Sequence, residues 1–385
     1  MMGLPRWRGL ALLAALLSSA DAYQTHVPGP DPYSQVGATL VSGSEIPQVV
    51  GRSSAYLVSS FPALKQVAYV HLPDNVWRPL VIGDVDEPRG VALDGQAKRL
   101  YVSDTSTGVI WCYRLRLSRN DLLETVPPRT AAVEGYNANW LAVNGVGDLY
   151  FTGRPKDGSV DYDSIYRQDA NNIARGDSLY PVQVYERSNT GNPNPQAWKP
   201  SGLAVDSFFV YWGNEDQGST HGSVMKGARQ NIGLLQSEVR LTQMSNAVDQ
   251  VRGLCATGTN LFYLTPDGVY GISKTNPTTI SDPNEGLIAS DPAGADNSTR
   301  WDPRSIAWDG ESTLYFTDSA QGRIYSLPSL NNARHDLTKF VDAPGIGGIS
   351  IISFHRAARS SSDGHAVALG WVPVLAATMA LLLGK

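Results

Sequence analysis

The sequence predicts an all-β fold of six repeated units closed into a ring, and three observations carry that prediction. The first is a trio of short runs near the C-terminus: Ser305–Trp308, Leu314–Thr317 and Arg323–Leu327. The first two are rich in β-branched and aromatic residues, and Asp309-Gly310 and Gln321-Gly322 stand between the runs as turn formers. The second is repetition. Gly90-Val91-Ala92-Leu93-Asp94, Leu100-Tyr101-Val102-Ser103-Asp104 and Gly108-Val109-Ile110-Trp111 form a near copy. Weaker copies run through Trp140–Val143 with Leu149–Thr152, Gly202–Val205 with Val210–Gly213, and Gly253–Ala256 with Leu261–Leu264. The third observation is a pair of half-units at the two ends. Ala55–Ser59 reads as a second run lacking its first, and Gly348–Ile352 as a first run with nothing after it. A spacing of roughly 45–60 residues with several strands per unit is the mark of a radial repeat. The expectation is a six-bladed β-propeller in which the C-terminal strand completes the N-terminal blade. Six phased copies argue against a β-sandwich.

Taken in order, the chain starts with Met1–Ala22, which has the pattern of a secretory signal: Arg6 and Arg8, the apolar stretch Leu10–Leu17, then Ala20-Asp21-Ala22 before a cut at Tyr23. Residues 23–47 read as an irregular leader, and residues 48–355 as the ring. In the C-terminal part, 356–385, the small residues Ser360-Ser361-Ser362 precede a spacer and the apolar stretch Trp371–Leu383. That order fits a glycosylphosphatidylinositol attachment signal, with Ser361 or Ser362 as the attachment site; a single spanning helix, interrupted by Pro373, is the alternative. Both place the ring at the extracellular face of the plasma membrane, tethered to it. Asn297-Ser298-Thr299 is a glycosylation sequon within the polar connection Thr275–Trp301.

Cys112 falls in the third strand of one blade and Cys255 in the first strand of another, too far apart around a ring to form a disulfide. Both are expected as small buried hydrophobes. Tyr101, Tyr150, Tyr211, Phe262 and Tyr315 recur at one strand position, as packing between blades requires. A formal net charge of −5 excludes a general nucleic-acid binder. The connections Arg154–Asp163 and Ser188–Pro200 are long and polar, the kind of loop in which binding resides.

With Pro88-Arg89-Gly90-Val91-Ala92-Leu93-Asp94, Leu100-Tyr101-Val102-Ser103-Asp104 and Tyr211-Trp212-Gly213-Asn214, the ring resembles propellers of the NHL and low-density-lipoprotein-receptor (YWTD) families. The YWTD aspartate position holds Asp104 and Asp318, whereas the other blades offer Ser59, Gly153, Asn214 and Thr265. The two aspartates are expected to cap turns.

The residue before each inner strand should stand at the rim of the central channel: Arg89, Asn139, Ser201, Arg252, Arg304 and Gly347. Converging arginines suit a carboxylate, sulfate or phosphate; in the resembling receptor repeats an arginine there braces neighbouring blades. The expectation is a non-enzymatic module that binds an extracellular protein or anionic glycan at the channel mouth, without a cofactor. The alternative is a metal-dependent lactonase or esterase resembling the gluconolactonase family. That family holds a divalent metal at the channel, and Asn139 looks like one of its asparagine positions. Against it, an arginine beside a hard cation is repulsive. No nucleophile elbow or phosphate loop occurs in the sequence.

Overall fold

The structure, a computed structural model, describes residues 53–72, 74–176, 179–186, 197–215, 222–229, 241–245, 250–275, 286–291, 301–331 and 333–355. The expectations for 1–22, 23–47, Asn297, 356–385, Ser361 and Ser362 lie outside the described residues.

The described strands form six four-stranded antiparallel sheets. Blade 1 consists of β1 (Ser53–Phe61), β2 (Gln66–His71) and β3 (Trp77–Ile82), joined by β24 (Ile349–His355) from the other end of the chain. Blade 2 is β4 (Pro88–Asp94), β5 (Arg99–Asp104), β6 (Val109–Leu117) and β7 (Leu123–Glu134). Blade 3 is β8 (Tyr136–Val143), β9 (Leu149–Pro155), β10 (Ser164–Gln168) and β11 (Val182–Tyr185). Blade 4 is β12 (Pro200–Val205), β13 (Phe209–Asn214), β14 (Ser223–Ala228) and β15 (Leu241–Ser245). Blade 5 is β16 (Leu254–Ala256), β17 (Asn260–Leu264), β18 (Gly268–Ser273) and β19 (Leu287–Ser290). Blade 6 is β20 (Pro303–Trp308), β21 (Thr313–Asp318), β22 (Arg323–Pro328) and β23 (Thr338–Asp342).

The ring closes as the end half-units predict. β24 pairs with β1 in the register Tyr56↔Ile352, Leu57↔Ile351 and Ser59↔Ile349. Ser60 N–H donates to Gly348 O at 3.1 Å, and Gly348 N–H donates to Arg89 O of blade 2 at 3.1 Å.

The strands are apolar because each blade is covered on both faces. Side chains alternate across a strand, so Leu100 and Val102 of β5 enter the cluster shared with blade 1, while Tyr101 enters the one shared with blade 3. The other clusters follow the same rule, one for each neighbouring pair of blades around the circle. Tyr101, Tyr150, Tyr211, Phe262 and Tyr315 are all buried in them. Each side chain of that size contributes about 1.5–3 kcal/mol on burial. Cys112 and Cys255 are free, and burial pushes the Cys255 thiol up to about 12.

The register corrects one sequence assignment. Ser60 Oγ accepts from Gly348 N–H at 3.0 Å, as Ser103 Oγ accepts from Gly90 N–H at 2.8 Å. Ser60 is therefore the counterpart of Ser103, and Phe61, not Ser59, stands at the aspartate position of blade 1. β1 has no preceding run in the sequence to set its phase, and only the pairing with β24 shows it.

At the axis each inner strand carries one aliphatic residue: Val91, Leu141, Leu203, Leu254, Ile306 and Ile349, all buried. They surround a void of only about 40 Å³. The sequence reading expects a central channel; these side chains seal it into a blind cup. Close approach of backbones explains the glycines just before them. A Cβ on Gly90 would lie 2.4 Å from Asn139 O, and one on Gly253 would lie 2.7 Å from Arg304 O.

Candidate binding site at the channel mouth

Above the axial plug lies a cavity of about 730 Å³. Of the predicted rim residues, Arg89, Asn139, Arg304 and Gly347 line it, and Ser201 and Arg252 do not. Ser201 is buried, with Oγ donating to Val251 O. Arg252 is folded down, with Nη1 on Asp302 and Nη2 on Gln250 Oε1 at 3.0 Å.

Each of the rim arginines is held by the residue two positions before it. Arg89 donates through Nε and Nη2 to Glu87 Oε1 at 3.2 and 2.6 Å. The Arg89 guanidinium and the Thr105 hydroxyl hold the Glu87 carboxyl below its usual value. Arg304 Nε donates to Asp302 Oδ2 at 2.8 Å, and its Nη1 lies 3.8 Å from Glu215 of blade 4. Arg252 and Arg304 thus share Asp302. Burial, followed by the charge of Arg304, pulls the Arg252 pKa down against that pairing.

The approach to the rim is fixed from beneath. Asp104 accepts from the N–H groups of Asp86 at 3.1 Å and Glu87 at 3.0 Å, and Asp318 accepts from Asp302 N–H at 2.9 Å. In blade 4, Asn214 Oδ1 accepts from Trp198 N–H at 2.8 Å. Burial opposes the charge on Asp104, but backbone donors outweigh it and hold the carboxyl below the ordinary range. The two aspartates therefore cap turns, as their sequence pattern suggests.

The β9–β10 loop supplies another wall. Arg154 Nη1 donates to Asp161 O at 2.9 Å, its Nε lies 3.9 Å from Asp163 Oδ1, and Asp161, Tyr162 and Asp163 all line the cavity. Burial raises the Asp163 pKa, with Arg154 pulling the other way. Blade 4 adds Lys199 and Glu215, and blade 3 adds Trp140. The cup therefore carries both signs of charge around an aromatic patch and an aliphatic floor.

Trp140 and Glu215 are absent from the sequence-predicted set, and Tyr162 and Lys199 belong to it only as members of the polar connections Arg154–Asp163 and Ser188–Pro200. Lys199 had a signal: it fills the slot that Glu87 and Asp302 fill in their own blades. Ser201 and Arg252 stand where the gluconolactonase resemblance would put further oxygen ligands, and neither suits a metal. Ser201 Oγ is engaged with a carbonyl and Arg252 is a cation, whereas a hard divalent ion needs several free, preferably anionic oxygens. Among the described residues no three His, Cys, Asp or Glu side chains converge.

A chain of the crystal structure of the nidogen/laminin complex is similar over 78% of this chain and 98% of its own length, with 13% identity and a TM-score of 0.50. The fold is a six-bladed β-propeller. A gluconolactonase from Xanthomonas campestris is similar at a TM-score of 0.42 and 15% identity, covering 72% of this chain and 86% of its own. Apo AztD from Citrobacter koseri gives 0.44 and 12%, covering 78% and 98%. No family model and no curated protein matches the sequence.

Proposed function

We propose that the protein is a non-enzymatic binding module, exported and tethered at the extracellular face of the plasma membrane, that engages a partner in the cup at its channel mouth. The observation that supports this most is the cup itself, a cavity of about 730 Å³ above an aliphatic plug. Its polar groups are chiefly ion pairs and hydrogen bonds rather than a nucleophile with a base. Loops on a rigid scaffold favour recognition, and a chain of the same fold is part of a nidogen/laminin complex. The sequence supplies the export and anchoring part of the reading, through 1–22 and 356–385.

The test combines three measurements on the full chain at the surface of cells. Release by a phosphatidylinositol-specific phospholipase is expected; retention would replace the lipid anchor with a spanning tail. Ser319→Trp, which fills the cup from a lining position outside the ion pairs, is expected to abolish capture of the ligands that the wild-type protein binds. Capture unchanged by that substitution would move the site elsewhere. Turnover of lactones or aryl esters in the presence of Ca²⁺ or Zn²⁺ would overturn the non-enzymatic reading.

A further inference from the structure

Resting on the reading of the mouth as the ligand site, we infer that its ligand is a polypeptide segment bearing an acidic side chain beside a hydrogen-bond donor. The segment is held by the blade 3–blade 4 sector through Lys199, Asp161, Trp140 and Tyr162, and the rim arginines serve as braces.

The rim arginines are already engaged. Arg89, Arg252 and Arg304 each donate to the side chain two residues before them, Glu87, Gln250 and Asp302. Blade 4 breaks that pattern on both sides. Lys199 stands where the carboxylates stand in blades 2 and 6, and Ser201 stands where the arginine would be, with its hydroxyl on Val251 O. Lys199 is exposed in the cup and has no carboxylate partner among the described residues. Its backbone is left-handed, φ 45°, as is that of its blade 5 counterpart Gln250, φ 44°. Blades 4 and 5 share that conformation, and Glu87 and Asp302 do not. What distinguishes Lys199 is its side chain, because the Gln250 amide is occupied by Arg252.

Across the same sector, Asp161 is exposed, and only its carbonyl is used, by Arg154. Its carboxylate has no partner among the described residues. The same cavity has aromatic lining. Trp140 occupies the position held by Gly90, Gly202, Gly253, Ser305 and Gly348 in the other blades, and it lines both the cup and the void beneath. Tyr162 adjoins Asp161 in the wall.

The wall also decides between ligand classes. Asp161, Asp163 and Glu215 line the cup together with the cations. Desolvated like charges disfavour a polyanion, whereas a segment with both signs and an apolar face complements the sector.

The experiment selects a displayed random-peptide library on the full-length protein, with heparin as the polyanionic probe. Recovered peptides are expected to carry an acidic residue and to lose binding about tenfold or more on Lys199→Ala, as removal of a charge-assisted hydrogen bond implies. Lys199→Arg should retain binding, Asp161→Asn should weaken it, and Arg252→Lys should leave it within about twofold. Binding that survives Lys199→Ala but is lost on Ser319→Trp overturns this inference and leaves the mouth as the site. Binding that survives both removes the mouth itself. Heparin competing for the cup, or no acidic peptide recovered, also overturns the inference.

Discussion

At the mouth, blade 5 presents Gln250 and Arg252 before Gly253, and blade 4 presents Lys199 and Ser201 before Gly202. The backbones match except at the glycine, where Gly202 is left-handed, φ 55°, and Gly253 is not. The first residue of each set is left-handed, and a Cβ on either glycine would press within 2.7 or 2.8 Å of the next blade's carbonyl. The side chains diverge. Those of blade 5 are locked into Asp302 and into each other, whereas blade 4 leaves an ammonium exposed beside the loop of blade 3. Packing around the axis fixes the backbone here, and the alternate side chains just outside it are free to brace the ring or to meet a ligand.

The largest effects are expected at the glycines. Gly253→Val drives a side chain into Arg304 O and should cost about 3 kcal/mol by urea denaturation. Gly258→Ala, in open space on the same blade, should stay within about 0.5 kcal/mol. Next comes the rim. Arg252→Ala leaves the part-buried Asp302 with Arg304 alone and should lower stability by about 2 kcal/mol. Lys199→Ala should change stability by less than about 0.5 kcal/mol. Equal losses at the two positions would erase the distinction between brace and ligand contact.

Smaller still is the effect of acid. The folded Asp104 carboxyl titrates below its ordinary value, so its contribution is present above the unfolded pKa of about 4 and is lost as pH falls through the folded one. Asp104→Asn should therefore lose about 1–2 kcal/mol at neutral pH, and its deficit relative to wild type should shrink below about pH 4. Thermal melts of both proteins from pH 7 to pH 3 would check this. A deficit that grows in acid would contradict it.

The ring was legible in the sequence because each blade must hide both faces, which forces Leu100-Tyr101-Val102 and Leu314-Tyr315-Phe316 into continuous apolar runs at a fixed phase. The end strands were legible for the same reason: Ala55–Ser59 and Gly348–Ile352 carry the pattern of one blade cut in two. The site was legible only in part. Counting back from each inner strand found Arg89, Asn139, Arg304 and Gly347, which line the cup, but also Ser201 and Arg252, which do not. Spacing gives a residue's place along a strand and not the partner its side chain chooses, and Asp302, shared by Arg252 and Arg304, belongs to the next blade. Lys199 was not singled out within Ser188–Pro200, because a lysine beside a proline in a polar connection reads as a solvated loop residue. Its meaning emerges only when the same slot is compared across blades. The axial plug was also unread, since Val91, Leu141, Leu203, Leu254, Ile306 and Ile349 meet only after closure.

The cup, its braces and its exposed lysine exist only if the circle is shut, and native-state hydrogen exchange tests that directly. The amides of Tyr56 and Val58 in β1 and of Ser350 and Ile352 in β24, which face each other across the closing pair, should exchange only through global unfolding, at the same free energy as Tyr101 and Val102 in β5. Exchange of β24 through a separate, low-energy opening while β5 stays protected would show that the last strand is not part of the first blade, and would contradict the account.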